Sequence, residues 1–176
     1  VASRDNGRTA ALSLQLSRAH QDLRRRLADV RTNLGRRRPH DDTLLTHCLA
    51  FCTALTNHHQ GEDDGLFAQL LLERPDLAPT VAKLVEDHGF ISAILARVRE
   101  LAELADLAAR AAPAAGSSDT GPPGPADLAA IGRELDGLAA IMDSHFAYEE
   151  RAIGAALDAG VGDDGWSAPV LRFATP

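Results

Sequence analysis

The chain has 176 residues, 45% hydrophobic, 24% charged and 4% aromatic, with a net charge of −7. That length and apolar share fit one globular domain with a substantial core and exclude disorder. The acidic balance argues against a basic nucleic-acid footprint, no apolar run is long enough to span a bilayer, and a leucine- and alanine-rich apolar set favours helix over strand.

Four long helices are predicted, the first over residues 9–34. Its apolar seam is Leu16, His20, Leu23, Leu27, Val30 and Leu34, spaced to keep one face inward. Gly35 and Pro39 stop it. Arg24, Arg25, Arg26 and the Arg36-Arg37-Arg38 run lie toward its end, where cations suit the helix dipole and solubility better than a binding patch.

The second helix is predicted over 42–73, with Asp41 or Asp42 as its N-cap. Its seam is Leu44, Cys48, Phe51, Leu55, His58 and Glu62. Gly61 and Gly65 weaken it locally, and it continues through Leu66, Phe67 and Leu70 before breaking at Arg74-Pro75. Cys48 and Cys52 share one helix at a spacing poorly suited to a disulfide, so they are expected as small buried hydrophobes.

The third helix is predicted over 79–112, with the seam Val81, Leu84, His88, Ile91, Leu95, Val98 and Ala102. Residues 113–125, rich in Pro, Gly and Ser, are the clearest linker. The fourth helix, 127–159, carries Leu128, Ile131, Leu135, Leu138, Met142, His145, Glu149, Ala152 and Ala156 on its seam and closes at Gly160. A tail over 160–176 contains Trp166 and Phe173, which are expected to pack across one end. The expected fold is all-α: an up-down-up-down antiparallel four-helix bundle with a short C-terminal tail, in a single domain.

One histidine falls on each seam: His20, His58, His88 and His145. Glu62 follows His58 by four residues, and Glu149 follows His145 by four. Residues i and i+4 lie on one helix face, so each pair presents a nitrogen and a carboxylate in one direction. In an antiparallel bundle all six donors can meet at one level. Buried imidazole and carboxylate are costly unless something pairs with them, and a pair of metal ions satisfies all six. If each glutamate bridges, each ion receives two imidazoles and two carboxylate oxygens, with an oxide or hydroxide bridge as a fifth donor. Nitrogen and oxygen donors suit iron or manganese, and no thiolate joins the set to suggest structural zinc.

His58-His59-Gln60-Gly61-Glu62-Asp63-Asp64-Gly65-Leu66-Phe67 resembles the second-helix motif of hemerythrin-like (HHE cation-binding) domains, and His145-Phe146-Ala147-Tyr148-Glu149-Glu150 resembles their fourth-helix motif. Asp87-His88 is similar to the third-helix ligand, and His20 in Ala19-His20-Gln21-Asp22-Leu23 to the first. The resemblance spans about residues 10–157. It implies a non-heme di-iron centre, oxo- or hydroxo- and carboxylate-bridged, that reacts with oxygen or peroxide, with manganese or zinc as substitutes. The oxygen carriers of that family place a second histidine four residues after the third-helix ligand; here that position is Ser92. One iron is therefore expected to be less saturated than in the carriers, leaving two open irons.

Several other residues have two readings. His59 is an alternative ligand or an outer donor, with His58 favoured for the ligand by its spacing from Glu62. His47 is expected as a polar core residue too far from the layer to join it, and His40 as a solvated one. Tyr148 either hydrogen-bonds a bound peroxide or ligates iron, or packs with its hydroxyl at the surface. Asp63 and Glu150 either orient histidines or are exposed charges, with Glu150 read as exposed.

The leading functional expectation is a di-iron protein that binds and reacts with O2 or H2O2, with peroxide disproportionation its most concrete form. The alternative is a non-enzymatic module that senses or stores O2, NO or iron. A ferritin-like carboxylate oxidase needs a Glu-x-x-His pair that is absent here, and a metal-free bundle would bury unpaired ionisable groups. A polar N-terminus without a signal-like core leads to an expected cytoplasmic location, and an interior site to an expected monomer with no nucleic-acid or membrane partner.

Overall fold

The computed structural model describes residues 11–34, 44–111, 125–159 and 170. Helix α1 spans Leu12–Asn33, α2 Leu44–Gly61, α3 Phe67–Glu73, α4 Ala78–Ala111 and α5 Pro125–Asp158. A single π-helical turn, Glu62–Leu66, joins α2 to α3 without a break in direction, and a 3-10 turn, Pro75–Leu77, leads into α4. The predicted second helix is therefore one rod with a π-helical segment inside it, which the periodicity did not reveal. Such segments arise where one extra residue is accommodated, and they are frequent at functional sites. The rod ends at Arg74, whose φ of −133° leaves the helical region before Pro75.

The rods form a closed ring of neighbours: α1 packs on α2 and α5, and α4 packs on α2 and α5. Side chains fix α1 and α5 antiparallel. The Ser13 hydroxyl and backbone N–H at the start of α1 donate to the carboxylate of Asp158 at the end of α5. Near the other end of α1, Arg31 reaches Asp136 in the first half of α5. The described residues thus form an all-α four-helix bundle, and none of their helices is long and apolar enough to cross a membrane. The N-cap, stop, linker and tail residues read from the sequence at Gly35, Pro39, Asp41, Asp42, 113–124 and Gly160, together with Arg36, Arg37, Arg38, His40, Trp166 and Phe173, lie outside the described residues.

Two apolar clusters fill the bundle. One joins Leu23, Leu27 and Val30 of α1 to Phe51 and Leu55 of α2, Ile91, Leu95 and Val98 of α4, and Leu135, Leu138 and Met142 of α5. The other joins Leu12 and Leu16 to Leu66, Phe67 and Leu70, Leu84, Ile153, Leu157 and the tail residue Val170. Cys48 and Cys52 are free, buried thiols in the first cluster; burial pushes the Cys48 thiol up to about 12. Along every rod the interval between the clusters is polar: His20 on α1, His58 and His59 on α2 with Glu62 opening the π-helical turn, His88 on α4, His145 and Glu149 on α5. Apolar packing on both sides clamps this layer at one level.

Candidate metal centre

His20, His58, Glu62, His88, His145 and Glu149 are all buried, with no more than 3% exposure, and their side chains meet. His59 joins them at 3% exposure. Donor atoms fall into two groups, each within 4.8 Å of one another: His20, His58 and Glu62 in one, and His59, His88 and His145 in the other.

Glu62 connects the groups. Its Oε1 lies 3.0 Å from Nε2 of His58 and 3.9 Å from Nε2 of His20, while its Oε2 lies 3.6 Å from Nε2 of His88. Glu149 sits on the other side, with Oε2 3.4 Å from Nε2 of His20 and 3.7 Å from Nε2 of His145. Nε2 of His88 and Nε2 of His145 are 3.1 Å apart. Four histidines thus aim the same ring nitrogen at two carboxylates.

Three of their other nitrogens are held from outside. Nδ1 of His20 donates to Glu150 at 2.8 Å, Nδ1 of His88 donates to Asp63 at 2.8 Å, and Nδ1 of His58 donates to the backbone carbonyl of Val170 at 3.1 Å. Asp87 stands 3.7 Å from Nδ1 of His145. A proton held at Nδ1 leaves the Nε2 lone pair facing inward, which is the arrangement a metal-binding imidazole needs. Glu150 is therefore half-buried and engaged, also accepting from the Ser17 hydroxyl at 2.7 Å, rather than the exposed charge read from the sequence. Its position beside His20 on a neighbouring rod has no sequence signature, since the two are far apart in the chain. Asp63 takes the orienting role of its two readings.

The electrostatics are those of a site built for positive charge. Burial pushes the His58 imidazole down to about 3 and the His145 imidazole down to about 4, and it holds His59 well below its ordinary value. These rings are neutral and offer lone pairs. Burial works against a charge on His20 too, but the carboxylates of Glu149, Glu150 and Glu62 outweigh it and raise this ring to about 10. Burial and the facing charge of Glu149 push Glu62 well above the usual carboxyl range, whereas His20 overcomes burial at Glu149 and lowers it. The hydrogen bond from His20 lowers Glu150 to about 2.

Nε2 of His20, Nδ1 of His145, both oxygens of Glu62 and of Glu149, and both ring nitrogens of His59 are buried with no hydrogen-bond partner. Each such atom costs about 1–3 kcal/mol. Cations coordinated by the inward-facing atoms among these would remove that cost, so the donor set fits metal ions.

The remaining sequence expectations divide. His47 is exposed, not in the core: the buried seam of α2 runs through Cys48, Cys52, Leu55 and His59, and His47 falls just outside it. His59 is buried beside His58, and both rings reach the layer. Tyr148 is half-buried and packs against the second apolar cluster. Ser92 is exposed.

A family model described as Hemerythrin HHE cation binding domain matches residues 13–157. No curated protein and no solved structure matches the chain.

Proposed function

The chain belongs to the hemerythrin HHE cation-binding family, and on that premise we propose that its buried layer holds two iron ions and reacts with O2 or H2O2. The observation that carries this is the split aim of Glu62, one oxygen toward His20 and His58 and the other toward His88. A carboxylate so placed would offer one oxygen to each of two cations. His20, His58, His88 and His145 supply nitrogen, and Glu149 supplies oxygen between His20 and His145. Nitrogen and oxygen donors without thiolate suit iron, with manganese and zinc able to take the same set; Cys48 and Cys52 belong to the apolar cluster instead.

Bound iron would supply reversible one-electron chemistry at each ion. The protein's own residues do the rest. Glu150 and Asp63 keep a proton at Nδ1 of His20 and His88, which fixes both rings with Nε2 inward. Glu62, whose carboxyl is pushed up in the absence of cations, gives up its proton when cations bind. Phe146, stacked on His20 at 3.9 Å between centroids, and Phe67, 5.8 Å from His88, exclude water from the layer. With every donor at 3% exposure or less, the centre favours a molecule of two or a few atoms over an organic substrate. All donors come from one chain, so a monomer suffices.

The test is oxygen evolution. The chain is loaded anaerobically with ferrous iron, freed of excess metal and mixed with H2O2 under an oxygen electrode. Oxygen evolution per iron well above that of free iron supports peroxide disproportionation. Two bound irons with no evolution above free iron sink turnover, and a reversible optical change with O2 in that protein supports sensing or storage.

A further inference from the structure

We propose that His59 is the third imidazole donor to the cation held by His88 and His145, replacing the imidazole that Ser92 does not supply. This rests on the reading that the layer binds two cations.

His59 is unlike the other layer histidines. Asp63, Glu150 and the Val170 carbonyl hold the outer nitrogens of His88, His20 and His58. Neither ring nitrogen of His59 has a hydrogen-bond partner, and the residue is 3% exposed. An imidazole buried for packing alone would be replaced at lower cost by a phenyl or isobutyl group. The ring stacks on His88 at 4.0 Å and 7° and stands edge-on to His145 at 5.4 Å. A donor nitrogen of His59 lies within 4.8 Å of those of His88 and His145. Adjacent donors on one ion, each bonded at about 2.1 Å, are about 3 Å apart, and Nε2 of His88 and Nε2 of His145 already stand at 3.1 Å. Ser92, one turn beyond His88, is exposed and has no part in the layer.

The consequence is asymmetry. His59, His88 and His145 with Glu62 Oε2 serve one cation, while His20 and His58 with Glu62 Oε1 serve the other. Glu149 stands between His20 and His145 and is available to both. The fewer donors on the His20–His58 side place the vacant coordination there.

Anaerobic titration with Co(II), followed by its visible absorption and by equilibrium dialysis, tests this on the wild type, His59→Phe and His59→Ala. The phenyl ring keeps the stack on His88 and removes both nitrogens; the alanine leaves space for a free imidazole. The wild type is expected to bind two Co(II). His59→Phe is expected to keep one site and to weaken the other at least about ten-fold. In His59→Ala, added imidazole is expected to restore the weakened site, which it cannot do in His59→Phe. Thermal unfolding adds a sign reversal: His59→Phe is expected to melt above the wild type when metal-free and below it when loaded. Two sites of wild-type affinity in either variant, or a weakened His59→Ala site that imidazole leaves unrestored, overturns the role of His59 and leaves the two-ion reading standing. A wild type that binds fewer than two Co(II) overturns that reading itself.

Discussion

Glu62 turns its two carboxylate oxygens to different imidazoles, Oε1 standing 3.0 Å from Nε2 of His58 and Oε2 3.6 Å from Nε2 of His88. The residue opens the π-helical turn, and Asp63 next to it reaches Nδ1 of His88. One turn of one rod therefore serves both halves of the layer. Glu62→Gln keeps the shape but replaces one oxygen with an amide nitrogen that offers no lone pair. It is expected to lower the iron retained after gel filtration from two ions per chain to one or none, as read by metal analysis. Retention of both ions would mean that Glu62 does not bridge.

Asp63→Ala removes the acceptor that fixes the His88 ring. Groups that orient a ligand from behind are worth about 10–100-fold in metal affinity. A loss of that size is expected in Co(II) titrations, with helical circular dichroism unchanged because Asp63 is only partly buried. Unchanged affinity would make the contact incidental.

The pH dependence of the metal-free protein follows from the layer. His58 and His145 fall from 6.5 in the unfolded chain to about 3 and about 4 when folded, so each opposes folding increasingly as pH drops below 6.5. His59 is lowered in the same sense. His20 moves the other way, from 6.5 to about 10, so its contribution is complete below 6.5 and is lost as pH rises toward 10. Glu62, raised when folded, also loses its contribution as pH rises above 4.5. Three histidines outweigh Glu62 on the acid side, while His20 and Glu62 act together on the alkaline side. Chelator-treated protein is expected to be most stable near pH 6.5 by thermal melting, with loss in both directions. A midpoint that climbs steadily from pH 6.5 to 9 would contradict the raised proton affinity of His20.

Phe146 is fully buried and stacks on His20 with only 5° between the planes, and the Arg24 guanidinium stands 5.1 Å from its ring centroid. Phe146→Ala is expected to cost about 3–5 kcal/mol in denaturant unfolding. A loss below about 1 kcal/mol would mean that the layer does not depend on its apolar floor.

The rods and the six polar seam residues that meet in the layer were legible because burial imposes a period on a helix, and His20, His58, His88 and His145 sit where leucines would otherwise be. His59 was not legible by that route. A seam reading admits one of two adjacent positions, yet α2 buries both, with Cys52 and Leu55 aligning toward His59 and Phe51 toward His58. The π-helical turn was hidden because the extra residue changes register without breaking the apolar pattern through Leu66 and Phe67. Glu150 and the Val170 carbonyl reach His20 and His58 across 130 and 112 residues of chain, and contacts at that separation leave no periodic trace.

Whether the layer holds two ions is decided by anomalous diffraction from crystals of the iron-loaded protein, collected at the iron edge. The expected result is two peaks in the layer, one beside Nε2 of His20 and His58 and one beside Nε2 of His88 and His145, each about 2.0–2.2 Å from its nitrogen donors and joined through Glu62. A single peak, or iron held only by surface carboxylates with the layer unliganded, would contradict it.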